Sequence, residues 1–300
     1  MPYNLTNCLV IGISSRALFN LEAENTIFEN EGVESYAKYQ QEHEKDILKP
    51  GAGFHLVKAL LKLNSMCDTR KTEVIIMSRN NADTSLRIFN SIEHYGLDIS
   101  RAALVGGSRL SPYLPAFNID LFLSANAEDV QDAINSGTAA GIICTQPDFE
   151  ISPLDEIDQI KIAFDGDAVL FSDESEKIYK EKGLDAFLEY ERQNAKKPLP
   201  EGPFARFLKK LASIQKQFPT KEAPIKTALV TSRNAPAHER VILTLRAWNV
   251  RIDEAFFLGG VEKSEVLKAF GAHIFFDDQP VHIGPASKVV PSARVPYKTE

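Results

Sequence analysis

The stretch IKIAFDGDAVL, residues 160 to 170, decides how this chain is read. Ile160, Ile162 and Phe164 alternate with Lys161 and Ala163, the period of a strand with one face buried. The strand runs into Asp165-Gly166-Asp167, and Ala168-Val169-Leu170 is apolar again. The two carboxylates therefore sit on a structured element and not in a solvated charge run. Like charges so close together repel unless something pairs with them. A divalent cation is the usual partner, because hard cations prefer oxygen ligands, and Gly166 lets the backbone turn tightly between the pair. A surface Asp-Gly turn would account for the same residues, so these three alone do not separate the readings.

The upstream chain alternates in type. CLVIGIS at 8–14, EVIIMS at 73–78, AALVGG at 102–107, LFLSA at 121–125 and AAGIIC at 139–144 read as strands. A polar stretch from Glu22 to Lys49, with Tyr36 and Tyr39 at helical spacing, is ended by Pro50-Gly51. Phe54 to Leu63 is a helix with a wide apolar face. Ala82 to Tyr95 is another, with Gly96 placed to end it in a left-handed conformation. A short helix from Glu128 to Asn135 precedes the last strand. Strands alternating with helices predict an α/β fold with a mainly parallel sheet covered on both faces.

The second half repeats the first. ALF at 17–19 matches VLF at 169–171, MSRN at 77–80 matches TSRN at 231–234, LVGG at 104–107 matches FLGG at 257–260, and LFLSAN at 121–126 matches IFFDDQ at 274–279, all at offsets of 152 to 154. Gly96 falls opposite Asn249, the other residue that tolerates a left-handed conformation. The expectation is a duplicated α/β unit, residues 1–150 and 151–300, joined near Asp148 to Asp158. The copies differ where it matters. Asp165 aligns with Ile13, Asp167 with Ser15, Thr231 with Met77, Lys263 with Leu110, and Asp277-Asp278 with Ser124-Ala125. Groups needed for folding would be needed twice. Their presence in one copy points to chemistry there and to a catalytically silent first copy. Arg233 recurs as Arg79 in this alignment, which reads as structural.

These polar sites follow four successive strands of the second copy, and in a parallel sheet such ends converge where ligands bind. Carboxylates, a hydroxyl and a lysine around a divalent cation suit phosphoryl transfer, which needs an in-line nucleophile and neutralised oxygen charge. Lys268 competes with Lys263, and Ser232 adjoins Thr231. Between the first two sites, residues 172–225 read as helical, with Phe187, Leu188, Phe204, Phe207, Leu208 and Leu211 as apolar positions, and are expected to form a small cap.

Composition narrows the rest. The 300 residues are 44% hydrophobic and 25% charged, ordinary for a globular protein. A net charge of −7 argues against nucleic acid as the main partner. The apolar run Cys8 to Ile13 is too short to span a membrane. Three scattered cysteines predict a reducing, cytoplasmic setting without disulfides. The histidines lack zinc-site spacing. Homo-oligomerisation stays open.

Asp165-Gly166-Asp167-Ala168-Val169, Thr231, Lys263 and Asp277-Asp278 resemble, in order, the four motifs of the haloacid dehalogenase-like phosphohydrolases. FDGDAVLFSDESE, TSRN and HIFFDDQ resemble more closely the type I cytosolic 5′-nucleotidases, over roughly Ile11 to Tyr297. The resemblance implies two Rossmann-like units with a helical cap, and Mg²⁺-dependent hydrolysis of nucleoside 5′-monophosphates. It implies Asp165 as nucleophile through an aspartyl-phosphate, and Asp167 as acid and base with its carbonyl towards the metal. Thr231 and Lys263, with Gly166 and Ser232 beside them, would hold phosphate. Asp165, Asp167, Asp277 and Asp278 would form the Mg²⁺ site, without indicating which of the last two is the direct ligand. A sugar-phosphate phosphatase and a non-catalytic nucleotide sensor are the alternatives.

Overall fold

The computed structural model describes residues 4–144 and 159–299, and the expected join at Asp148 to Asp158 lies outside them. The chain divides into two units on either side of that gap. In the first, the strands are β1 (Leu9–Ile13), β2 (Thr72–Ser78), β3 (Arg101–Leu104), β4 (Leu121–Ser124) and β5 (Ala139–Cys144), in the order β3-β2-β1-β4-β5. Each of these pairings is parallel. Every residue of β1, β2 and β4 is buried, as expected of strands covered on both faces, while the edge strand β3 is half-exposed.

The second unit has β6 (Ile160–Phe164), β7 (Ile225–Thr231), β8 (Glu254–Phe257), β9 (Ile274–Asp277) and β10 (Ser292–Arg294), in the order β10-β9-β6-β7-β8, again parallel. The short β10 carries too little periodicity to be read from sequence. In each unit the first strand is central, with the second strand on one side and the fourth on the other. That reversal leaves a crevice beyond the strand ends, between β1 and β4 and between β6 and β9.

Local signals fall where the sequence places them. Helix Phe54–Lys62 buries Phe54, Leu56, Val57, Leu60 and Leu61. Gly96 (φ 60°) and Asn249 (φ 55°) both adopt left-handed backbone at helix ends. Each unit also has a helical segment interrupted by a glycine: Gly32 (φ 86°, ψ −176°) between Glu22–Glu31 and Val33–Glu42, and Gly183 (φ 82°, ψ −176°) within Glu174–Gln193.

Part of residues 172–225, the range expected to form a cap, packs on the sheet instead. Phe204 and Phe207, the latter on helix Ala205–Gln215, have ring centroids 6.3 and 6.2 Å from Phe164, and Phe204 lies 4.7 Å from Phe276. Phe164 and Phe276 are strand residues, so this helix covers the sheet and its aromatics belong to the sheet core. Leu208 and Leu211 are fully buried with them. Helix Glu174–Gln193 instead meets residues just beyond the strand ends, Glu191 bonding Arg233 and Glu176 bonding Gln279.

Candidate active site

β6 ends at Phe164, and Asp165 N donates to Phe276 O of β9 at 2.8 Å, which fixes Asp165 beside the crevice. The chain then makes a wide turn over Gly166–Leu170, closed by Phe171 N donating to Gly166 O. Ala168 sits at φ 59°, a conformation that costs a residue with a Cβ. Such wide turns and strained residues concentrate at functional sites. A Cβ on Gly166 would lie 3.2 Å from Thr231 Oγ1, so the turn passes hard against the end of β7.

The first unit shows what this turn adds. There Phe19 N bonds Ser15 O, one residue closer, and Ser14 N bonds Leu123 O as Asp165 N bonds Phe276 O. The counterpart of Asp165 is therefore Ser14, not Ile13. Likewise Val105 N bonds Ser78 O as Leu258 N bonds Thr231 O. Asn80 N bonds Ser78 Oγ as Arg233 N bonds Thr231 Oγ1. Ser78 thus stands opposite Thr231, and Asn80 opposite Arg233. The apparent recurrence of Arg233 as Arg79 is an offset of one residue, which removes the reason for reading Arg233 as merely structural.

Lys263, just ahead of helix Ser264–Phe270, is buried and donates to Asp165 Oδ1 and Asp277 Oδ2, both at 2.6 Å. Lys268 is exposed, so the geometry selects Lys263. Asp277 Oδ1 accepts from Gln279 N at 2.8 Å, so both its oxygens are occupied. Asp278 accepts from Tyr297 Oη through Oδ2, but its Oδ1 is buried with no hydrogen-bond partner. An unpartnered buried carboxylate oxygen is costly unless a cation meets it. Asp165, Asp277 and Asp278 can each turn an oxygen to within 4.8 Å of the others. Three carboxylates against one ammonium leave a local deficit that one divalent cation would balance, and all-oxygen donors suit a hard ion. The residues therefore fit a divalent metal, with Asp278 offering the free oxygen.

Burial pushes Asp165 up to about 7, with Lys263 pulling it back and Asp277 adding repulsion. Burial, then the charge of Asp165, pushes Asp278 up to about 8, and burial raises Asp277 too. Burial alone would lower Lys263, but the adjacent Asp165 and Asp277 reverse this, so it stays an ammonium.

Asp167 is not in the acidic cluster. Its two oxygens accept from Arg233 Nε at 2.7 Å and Nη2 at 2.6 Å. Arg233 also bonds Glu191 at 2.5 Å, and Glu191 bonds Arg240 at 3.0 Å. Glu191 comes from helix Glu174–Gln193, as does Glu176, which accepts from Gln279 Nε2 at 3.1 Å and lies 2.9 Å from Tyr297 Oη, whose single proton serves either Glu176 or Asp278. Thr231 is buried and Ser232 is exposed. Sequence reasoning missed Glu176, Glu191 and Tyr297, because nothing local distinguishes them from surface residues. It set Arg233 aside through the one-residue misalignment.

A profile described as 5′-nucleotidase matches residues 1–300. The chain belongs to the 5′-nucleotidase family. Within that family, human cytosolic 5′-nucleotidase 1B is 42% identical over 299 residues, covering 96% of this chain and 48% of the human protein. The chain thus spans about half the length of the curated relative it matches. A solved Listeria monocytogenes structure described as a UDP-N-acetylglucosamine 2-epimerase aligns at 9% identity and TM-score 0.21, over 96% of this chain and 78% of that one, too weakly to bear on the fold. Among the described residues no helix is long and apolar enough to cross a membrane.

Proposed function

We propose that the second unit is a Mg²⁺-dependent 5′-nucleotidase of the haloacid dehalogenase-like type, acting on nucleoside 5′-monophosphates in the cytoplasm, and that the first unit is a catalytically silent copy of it. One observation carries this reading: Lys263 clamps Asp165 and Asp277 at the strand-end crevice while Asp278 keeps a buried oxygen unpartnered. Family membership and the human relative supply the substrate class.

In this reading Asp165 attacks phosphorus through Oδ2, the oxygen that Lys263 leaves untouched. The new Asp165–phosphorus bond forms as the phosphorus–ribose oxygen bond breaks, and the leaving oxygen takes its proton from Asp167, which gains that proton from solvent by giving up one of its two bonds to Arg233. Water then attacks phosphorus, returning a proton to Asp167 and releasing Asp165. Thr231 Oγ1 already accepts from Arg233 N, so its own proton is available to a phosphoryl oxygen. Lys263 offsets the charge of Asp165 and of the phosphoryl group. Arg233 orients Asp167. A divalent cation held by Asp165, Asp278 and Asp277, with the Asp167 carbonyl beside it, would neutralise phosphoryl oxygen charge when bound. Helix Glu174–Gln193 acts as the cap, tied to the site through Glu191–Arg233 and Glu176–Tyr297.

Phosphate release from a panel of nucleoside 5′-monophosphates and sugar phosphates, with Mg²⁺ and with excess chelator, tests the reading. Nucleotide turnover that needs Mg²⁺ is expected. Preference for sugar phosphates would reassign the substrate, and binding without turnover of any ester would leave a sensor.

A further inference from the structure

The first unit holds a cavity of about 420 Å³ lined by residues that include Ser14, Ser78 and Ser124, at the ends of β1, β2 and β4. Its size is that of a small-molecule site, roughly 300–1,000 Å³. By backbone pairing, Ser14 and Ser78 occupy the places of Asp165 and Thr231. Ser124 Oγ accepts from Asn126 N as Asp277 Oδ1 accepts from Gln279 N. At these three positions serine stands where the second unit has Asp165, Thr231 and Asp277, and the strand ends border a cavity. Leucine at the serine positions would fill it and gain dispersion contacts, so the serines hold the cavity open at a cost in packing.

The polar walls are arranged to donate. Ser14, Ser78 and Ser124 accept from the backbone N–H of Ala17, Asn80 and Asn126 at 3.2, 3.1 and 3.1 Å. A hydroxyl that accepts in this way keeps its own proton to give, although Ser78 also meets Ser15 Oγ at 3.2 Å, where either hydroxyl can be the donor. Tyr36 Oη accepts from Gln40 Nε2 at 3.1 Å and Asn80 Nδ2 at 3.0 Å, and burial raises its pKa, so it too remains a donor.

The lining charges are matched internally. Arg79 pairs with Asp129 at 2.6 Å and Glu128 at 3.1 Å, Arg16 with Glu22 at 2.6 Å, and Glu24 with Arg87 at 2.7 Å. Leu110 takes the sequence position of Lys263. Little charge remains to draw a phosphate or a metal ion. The lining also carries an aromatic pair: Phe28 is 47% exposed and meets Tyr36 edge-on at 5.9 Å between centroids.

We propose that this cavity binds a neutral nucleoside, with its base against Phe28 and Tyr36 and its sugar hydroxyls among the serines. The aromatic pair suits a flat ring, the hydroxyls can donate to ring or sugar oxygens, and the pairing of the lining arginines with carboxylates disfavours the monophosphate. The proposal stands on the first unit alone and survives or fails independently of the chemistry of the second.

The test is methyl NMR on the full chain with ¹³C-methyl methionine. The chain has three methionines. Met77 lines the cavity, while Met66 is 44% exposed and does not. Adenosine and cytidine should each shift the Met77 methyl saturably and leave Met66 in place. Tyr36→Phe should weaken that binding about three- to ten-fold, the worth of one hydrogen bond, and Ser124→Leu should abolish it by filling the space. Should Ser124→Leu fail to fold, as judged by its melt, Tyr36→Phe decides. A Met77 methyl unmoved by both nucleosides up to about 10 mM, beyond any useful affinity, overturns the proposal. So does affinity unchanged in Tyr36→Phe, or a tighter response to the nucleoside monophosphate or inorganic phosphate than to the nucleoside.

Discussion

Arg233 grips both carboxylate oxygens of Asp167, at 2.7 and 2.6 Å, from a position 66 residues away in sequence. The fork sets the plane of Asp167, and a lysine cannot reproduce two parallel bonds. Arg233→Lys should therefore cut kcat at least ten-fold while KM changes little, because Asp167 loses its orientation while substrate contacts remain. Arg233→Ala also leaves the fully buried Glu191 with Arg240 and Ser175 as its remaining partners, and should destabilise the protein by about 1–3 kcal/mol. Steady-state kinetics and denaturant melts separate the effects. Full turnover in folded Arg233→Lys would show that the ion pair serves folding only.

Asp165→Asn keeps shape and removes the anionic nucleophile. Turnover should fall by several orders of magnitude, on the scale seen when catalytic groups are removed, with the fold intact by thermal melt. Lys263→Met should be similarly severe, because Asp165 and Asp277 lose the ammonium between them. The exposed Lys268, changed to Met, should leave phosphate release as it was. Near-full activity in folded Asp165→Asn would falsify the proposed nucleophile.

Asp278 and Tyr297 govern the metal requirement in this reading. Asp278 Oδ1 is the oxygen without a partner, and Tyr297 orients the carboxylate through Oδ2. Asp278→Asn should raise the Mg²⁺ concentration for half-maximal activity by more than ten-fold. Tyr297→Phe should raise it by about ten-fold, since partners behind a metal ligand typically contribute 10–100-fold. An unchanged Mg²⁺ titration in both variants would place the metal elsewhere.

Removing metal should make stability fall with rising pH. In the metal-free protein Asp165 is held at about 7 and Asp278 at about 8, both above the ordinary carboxylate value. The folded state therefore binds protons that the unfolded chain releases. The stability this gives is fully present below about pH 4, the unfolded value, and is lost as pH rises through 7 and 8. Melting temperature in chelator should drop from about pH 4 to about pH 8 and level off above, and Mg²⁺ should restore it most at the alkaline end. Adding Mg²⁺ at pH 7 in weak buffer should release protons. Proton uptake, or a chelated melt that climbs with pH over that range, contradicts the arrangement.

Much of this protein is written locally. Strand period, helix caps at Gly96 and Asn249, and polar residues at apolar strand ends are signals within a few residues, so the α/β alternation and the set Asp165, Thr231, Lys263, Asp277 and Asp278 are legible without a structure. What the tertiary structure alone decided depends on long-range pairing. Sequence alignment set Asp165 against Ile13 because it cannot see that the turn after β6 is one residue wider than the turn after β1; the backbone hydrogen bonds pair it with Ser14. Adjacent aspartates are equivalent in sequence, and only the contacts of Asp277 with Lys263 and Gln279 leave Asp278 the free oxygen. Phe204 and Phe207 look like cap core until the sheet brings Phe164 and Phe276 beneath them. Glu191 and Glu176 meet their partners across 42 and 121 residues. Hydrophobic period is a property of neighbours along the chain, whereas an ion pair is a property of neighbours in space, and folding alone makes the second kind.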